Sequence, residues 1–388
     1  MYNAPSTLLS TPSPHTPQAR YRAVGFAMFI LIAGLLFARI LVSLISFGLA
    51  QVLTEQTHRI IIDTIFSVIA QIGVCFLAVF LVYRLKLKFP VRTILNFSNF
   101  KKTRWFNLVL AIPIGIAGIF VTIGVSALWM MFLRLLGYNR PSGGTDGMPA
   151  EFSVGLFILQ IFLVAILPAI CEEFAMRGGL FTVIKGSYKG GFFYVLMALA
   201  FGLFHQNITQ FLYTAVFGGV MAFIVVKTKS VYPVMIVHFI NNAFSVYLSH
   251  AAVHNWRFMG NLFPMISEGL ITDTALVIGI YIAIVVALAG LLFLLHFLNS
   301  SRVLLKKKSV ILDSGFDHTN NRVVLVGEFD EQKVIELELE KEVYGRETTK
   351  APKAVLFKPT IADNAFFIGA IVVAGVFTLF SFVFGLFY

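Results

Sequence analysis

The sequence predicts an all-α polytopic membrane protein of about nine transmembrane helices, with a small cytoplasmic β-rich insert before the last helix. Three observations lead there. Of 388 residues, 58% are hydrophobic and only 13% charged, against about 45–50% and about 25% in soluble domains. The apolar residues gather into long runs, at about 24–50, 60–83, 106–136, 152–176, 192–206, 208–226, 230–249, 274–298 and 365–388. Most of these approach the ~20 residues that cross ~30 Å of hydrocarbon. Acidic residues concentrate in one stretch, 300–364, which holds 11 of the 19. Soluble, fibrous, disordered and disulfide-rich secreted classes are excluded by the same composition.

Taken in order, residues 1–23 are polar and Pro-rich and read as a disordered cytoplasmic arm. The run after them is longer than a signal-peptide core and lacks a small-residue cleavage site, so it is expected to remain as a spanning helix. Residues 24–105 form a transmembrane hairpin and basic loop, 106–250 a core of five runs, and 251–299 an extracytoplasmic loop and a helix. Arg39 and Asp63 are intramembrane ionisable residues in the first two runs, expected to pair with each other as a packing device. Cys75 and Cys171 lie in apolar stretches, build neither a disulfide framework nor a CxxC metal site, and read as small core residues.

Orientation follows from the short loops. Arg20 and Arg22, the 84–105 loop with Arg84, Lys86, Lys88, Arg92, Lys101, Lys102 and Arg104, then Lys185, Lys189, Lys227 and Lys229 share one side if the chain alternates through the runs. The N-terminus is therefore expected in the cytoplasm, with a bacterial plasma membrane as the expected compartment. The net charge of +11 is explained by this loop bias, and no nucleic-acid partner is expected. In 300–364 the alternation Val334-Ile335-Glu336-Leu337-Glu338-Leu339-Glu340 is strand-like. With Ser309–Leu312, Arg322–Val326 and Lys353–Phe357 it reads as a β unit, followed by the last span at 365–388.

Outside that insert eight acidic residues remain, and two are adjacent in an apolar run: Ile170-Cys171-Glu172-Glu173-Phe174. A carboxylate at mid-membrane is costly unless neutralised, paired or facing water, so the pair marks a functional site. Neighbours on a helix point about 100° apart and cannot do the same job. Arg177, four residues after Glu173, shares its face and can hold it as an ion pair, which leaves Glu172 as the free base. Pro168, four residues before Glu172, predicts a kink or an exposed carbonyl beside the pair.

Two later runs bring histidines to similar depth. Phe201 precedes His205 by one turn, and Asn242 follows His238 by one turn. Counted from flanking lysines, Glu172, His205 and His238 lie roughly 20, 24 and 14 Å into the membrane and can converge. A carboxylate, two imidazoles and an amide supply the parts for hydrolysis, with Glu172 drawing a proton from water and a histidine or Asn242 stabilising the oxyanion. Alternatively, Glu172, His205 and His238 make a ligand triad for a divalent metal such as zinc, and the residues leave both open.

Glu172-Glu173 with Arg177 matches EExxxR, Phe201 with His205 matches FxxxH, and His238 with Asn242 matches HxxxN, in that order on successive helices. In this the chain resembles the CPBP intramembrane proteases, or abortive-infection family, which include the type II CAAX prenyl endopeptidases. The resemblance covers about residues 106–250 and leaves the other spans and the insert unexplained. It implies an endopeptidase acting on a membrane-anchored protein or hydrophobic peptide, CAAX-type or bacteriocin-type, in contact with the bilayer. It implies Glu172 as the water-activating base, Glu173 and Arg177 as its structural partners, His205 as the second catalytic group, and His238 with Asn242 as the oxyanion or ligand pair. The absence of HExxH spacing favours the metal-free version. Two competing functions are a proton-coupled transporter, with Glu172, His205 and His238 as a relay, and a silent scaffold or immunity protein.

Overall fold

The computed structural model describes residues 16–50, 52–140, 148–188, 190–259, 273–312, 316–317, 322–325, 335–337 and 357–387. The first helix, α1 (Pro17–Leu49), starts where the Thr16 hydroxyl accepts from the Ala19 backbone N–H at 3.1 Å, with Pro17 at its first position. That is a strong start signal, because a side-chain cap satisfies an orphan donor and proline has none to lose. The helix thus takes in residues 17–23, which the sequence reading assigned to the arm, and residues 1–15 lie outside the described residues.

Helix α2 (Glu55–Lys86) follows, with wide π-helical turns at Ile69–Ala78. A short helix in the basic loop, α3 (Val91–Phe97), leads to α4 (Trp105–Leu135). Helix α5 (Val154–Ser187) carries two further π-helical stretches, Ile161–Ile166 and Ala175–Leu180. The core closes with α6 (Gly190–Phe204), α7 (Ile208–Thr228) and α8 (Tyr232–Val253). Then come α9 (Thr274–Leu312) and the final α10 (Ile361–Leu386).

Each apolar run therefore holds a helix, and the molecule is an all-α integral membrane protein. Among the described residues, seven of these helices are long and apolar enough to cross a bilayer: α1, α2, α4, α5, α7, α9 as far as Ser300, and α10. Helix α6 has only 15 residues, about 22 Å at 1.5 Å per residue, and α8 is diluted by His238, Asn241, Asn242 and His250.

Two compact units divide the chain, one of Met1–Leu292 with Phe357–Tyr388 and one of Phe293–Leu356. In the first, α1 packs against α2 and α10, α4 against α7 and α8, and α6 against α7. The last helix is pinned to the first by buried Asp363, which accepts from Arg22 Nε at 2.6 Å and Gln18 Nε2 at 2.9 Å while capping its own helix with Thr360. The Tyr21 hydroxyl adds a bond to Asn364 Oδ1 at 2.8 Å. These contacts tie the start of α10 to α1.

In the second unit, strands β1 (Phe316–Asp317), β2 (Arg322–Leu325) and β3 (Ile335–Leu337) form an antiparallel sheet in the order β1-β2-β3, with Phe316 opposite Val323 and Val324 opposite Glu336. The expected strand at Ser309–Leu312 is instead the end of α9. No glycine or proline interrupts residues 299–312, and Leu304, Leu305 and the Lys306–Lys308 run are good helix formers, so the helix propagates through them. The expected strand at Lys353–Phe357 lies outside the described residues but for Phe357.

Candidate active site

The site is built on an irregular stretch of α5. Pro168 has no N–H to offer the Val164 carbonyl one turn earlier, and the expected open carbonyl is there, taken up by Asn242 Nδ2 of α8 at 2.9 Å. Nearly three turns beyond Pro168, the backbone leaves helical geometry at Gly178 (φ −81°, ψ −115°). A Cβ on Gly178 would come within 2.9 Å of Ser98 Cβ, so only glycine lets the turn press against the end of α3. Asn99 Nδ2 donates to the Arg177 carbonyl at 2.7 Å, and the Thr182 hydroxyl donates to the Phe97 carbonyl at 2.9 Å. Non-helical backbone at membrane depth thus has side-chain partners, as hydrocarbon demands.

Between these two irregularities sit Glu172 and Glu173, 6% and 0% exposed. Glu173 Oε1 accepts from Arg177 Nη1 at 3.1 Å and from His238 Nδ1 at 2.7 Å. Arg177, fully buried, also donates from Nη2 to the Gly218 carbonyl at 3.3 Å and lies 4.1 Å above the Phe201 ring. A buried charge needs both a counter-charge and hydrogen bonds, and Arg177 finds them from three helices. Glu173 is therefore an organiser, tied to a cation and an imidazole.

Glu172 has a different environment. Its Oε1 accepts from Gln71 Nε2 of α2 at 2.8 Å, while Oε2 is buried, without a hydrogen-bond partner, and 3.9 Å from His238 Nε2. That separation is one that a single bridging water spans at ordinary hydrogen-bond lengths. With the His238 Nδ1 proton directed to Glu173, Nε2 is the nitrogen that faces Glu172.

Phe201 links the two histidines. Its ring meets His205 edge-on at 5.0 Å between centroids and His238 at 6.0 Å, on opposite sides of the motif. His205 Nδ1 donates to the Phe201 carbonyl at 2.9 Å, which fixes that tautomer and leaves Nε2 available. Gly218 of α7 makes this arrangement possible, because a Cβ there would sit 2.6 Å from Phe201 Cβ. This is the close helix contact expected of a small residue in a membrane bundle.

His205 opens the turn between α6 and α7, where Gln206 has φ 52°. Three other helices hold it: Gln206 Nε2 of the turn donates to the Ile32 carbonyl of α1 at 3.2 Å, the Ser381 hydroxyl of α10 accepts from Ile208 N at 2.7 Å, Trp129 Nε1 of α4 donates to the Ile208 carbonyl at 2.6 Å, and Arg39 Nη2 of α1 donates to the His205 carbonyl at 3.4 Å. Arg39 therefore does not pair with Asp63 as the sequence reading expected. It faces the α6–α7 turn and the Phe66 ring, 5.9 Å away, instead of its neighbour's carboxylate.

All six expected site residues, Glu172, Glu173, Arg177, His205, His238 and Asn242, are thus brought into one network within the bundle. The Asn242 amide is engaged with a backbone carbonyl, which leaves one of its two N–H groups for other work. No group of three His, Cys, Asp or Glu side chains among the described residues is close enough together to hold a metal ion. Cys75 and Cys171 are buried free thiols. The sequence reading missed Gln71, whose signal was an isolated amide in an apolar run, and Asn99, which carried no signal beyond lying in the basic loop. An apolar groove of about 550 Å³ lies between α4 and α8, lined by Ile116, Phe120, Ile240 and Phe244 and by none of the six.

Residues 154–244 match the family model described as Type II CAAX prenyl endopeptidase Rce1-like. That stretch runs from the start of α5 to the middle of α8 and contains all six expected site residues, while Arg39, Gln71, Asn99, Trp129 and Ser381 lie outside it. No curated protein and no solved structure matches the chain.

Proposed function

We propose that this chain, whose residues 154–244 are related to the CAAX prenyl proteases, is an intramembrane endopeptidase that hydrolyses a peptide bond near the carboxy terminus of a lipid-anchored protein. One observation carries the reading: a buried carboxylate oxygen, Glu172 Oε2, has no partner in the protein and faces His238 Nε2 across 3.9 Å. Glu173 Oε2 also lacks a hydrogen-bond partner, but its sister oxygen is held by both Arg177 and His238, whereas the free oxygen of Glu172 is the one that faces an imidazole nitrogen.

In this reading the water held between Glu172 and His238 attacks the scissile carbonyl carbon. Glu172 Oε2 takes the water proton as the new C–O bond forms, and the carbonyl electrons move onto its oxygen. Gln71 holds the other Glu172 oxygen and so aims the free one. The spare Asn242 N–H is the donor available to the oxyanion, and His205, with Nε2 free, is the second catalytic group. Collapse of the intermediate breaks the C–N bond, and the proton held by Glu172 passes to the leaving amine. Glu173 and Arg177 keep His238 in place throughout. The N-terminus and the lysine-bearing loops lie in the cytoplasm in this account, following the charge bias of the loops.

The test is cleavage of a quenched-fluorescent peptide library, farnesylated tails included, by purified protein, with wild type and Glu172→Ala compared and each assayed with and without chelator. Cleavage by the wild type that Glu172→Ala abolishes supports the protease, and indifference to chelator supports the metal-free mechanism. Equal cleavage by Glu172→Ala overturns the assignment. Gradient-dependent solute accumulation without any cleavage would favour the transporter.

A further inference from the structure

We propose that Arg39 is the anchor for the substrate's terminal carboxylate and so sets the enzyme's preference for bonds close to a free carboxy terminus; the inference rests on the protease reading above. Arg39 lies two-thirds of the way along α1, outside the stretch that matches the family model. Among the described residues it makes no ion pair. Its contacts are the His205 carbonyl at 3.4 Å and the face of Phe66 at 5.9 Å, and its side chain is otherwise exposed.

A permanent cation within a membrane span is costly unless an anion or water faces it. Capping a carbonyl does not explain it, since the neighbouring main-chain groups of the same turn, Ile208 N and O, are capped by neutral side chains, Ser381 and Trp129. A guanidinium has five N–H donors in a planar fork that matches a carboxylate, and the His205 bond uses one. The anion is therefore expected to arrive with the substrate.

The position suits that role. Arg39 touches the main chain of the residue whose imidazole borders the reacting atoms. A substrate carboxylate held by Arg39 would lie beside His205. Substrates ending in a free carboxylate a few residues beyond the cleaved bond would be held in register, and longer or blocked tails would not.

The experiment compares two farnesylated peptides of identical sequence, one ending in a free carboxylate and one in a carboxamide, with the full-length wild type, Arg39→Gln and Arg39→Lys in detergent. Binding and cleavage are both measured. The wild type is expected to show a KM about tenfold or more lower for the acid than for the amide, the worth of one charge-assisted contact, with kcat nearly equal. In Arg39→Gln the acid's KM should rise to the amide's, so that the preference between the two peptides disappears, and Arg39→Lys should recover part of it. Equal KM for both peptides in the wild type, or a retained preference in Arg39→Gln, would each overturn the proposal. Selective binding of the acid by a wild type that cleaves neither peptide would uphold the anchor and remove the protease reading. Equal binding without cleavage would remove both.

Discussion

Removing the cation from the Glu173–Arg177 pair tests how the site is held together. Both side chains are 0% exposed and joined at 3.1 Å. Arg177→Met leaves the Glu173 carboxylate buried with only His238 as partner, and also frees the Gly218 carbonyl and uncovers Phe201. Breaking a buried pair on one side costs about 3–5 kcal/mol. With an unfolding entropy near 2.1 cal/mol/K per residue, that corresponds to a fall in melting temperature of about 4–6 °C for a chain of this size. Glu173→Gln alone orphans the guanidinium and should cost a similar amount. The double variant, Glu173→Gln with Arg177→Met, contains no uncompensated charge and keeps an amide oxygen for His238, so it should be more stable than either single variant. Thermal melts of the four proteins in one detergent measure the coupling. Additive losses, with the double variant falling by the sum of the singles, would refute the view that the pair acts as a unit.

Other perturbations follow from the same contacts. Asn242→Leu removes the donor on the Val164 carbonyl and should destabilise the protein by about 1–3 kcal/mol, a loss visible in a melt; unchanged stability would leave Asn242 with a purely catalytic role. Gly218→Val drives a side chain into Phe201 and should cost about 1–3 kcal/mol while lowering cleavage, because Phe201 carries both imidazoles; full activity would show that the α6–α7 contact does not position them. Gln71→Leu should lower kcat with little change in KM, since it frees Glu172 Oε1 without touching the substrate, and steady-state kinetics separate the two.

Much of this architecture was legible in the sequence because hydrocarbon imposes simple rules. Long apolar runs gave the helices, and the misplaced carboxylates Glu172 and Glu173 gave the site. The motif spacings gave the partners, and Pro168 gave the open Val164 carbonyl. What escaped reading has physical causes. The π-helical turns of α2 and α5 have no periodicity of their own, and Gly178 announces a special backbone only once Ser98 is seen against it. Arg39 and Asp63 sit at matching depths on consecutive helices, so depth alone pairs them. Helix rotation decides otherwise, turning Arg39 toward the α6–α7 turn. Gln71 and Asn99 act across helices far apart in sequence, which no local pattern encodes. The strand expected at Ser309–Leu312 failed because a helix already under way continues through residues that favour it, whatever their short-range alternation.

The central claim is that Glu172, and not Glu173, activates the attacking water. The most direct measurement is the single-turnover cleavage rate of Glu172→Gln against the wild type, with a melt to show that the variant is folded. Gln keeps the shape and the contact with Gln71 but cannot take a proton, so the account predicts a fall of about 10²–10⁴-fold in rate with a melting temperature close to the wild type. A folded Glu172→Gln protein that cleaves within twofold of the wild-type rate would contradict it.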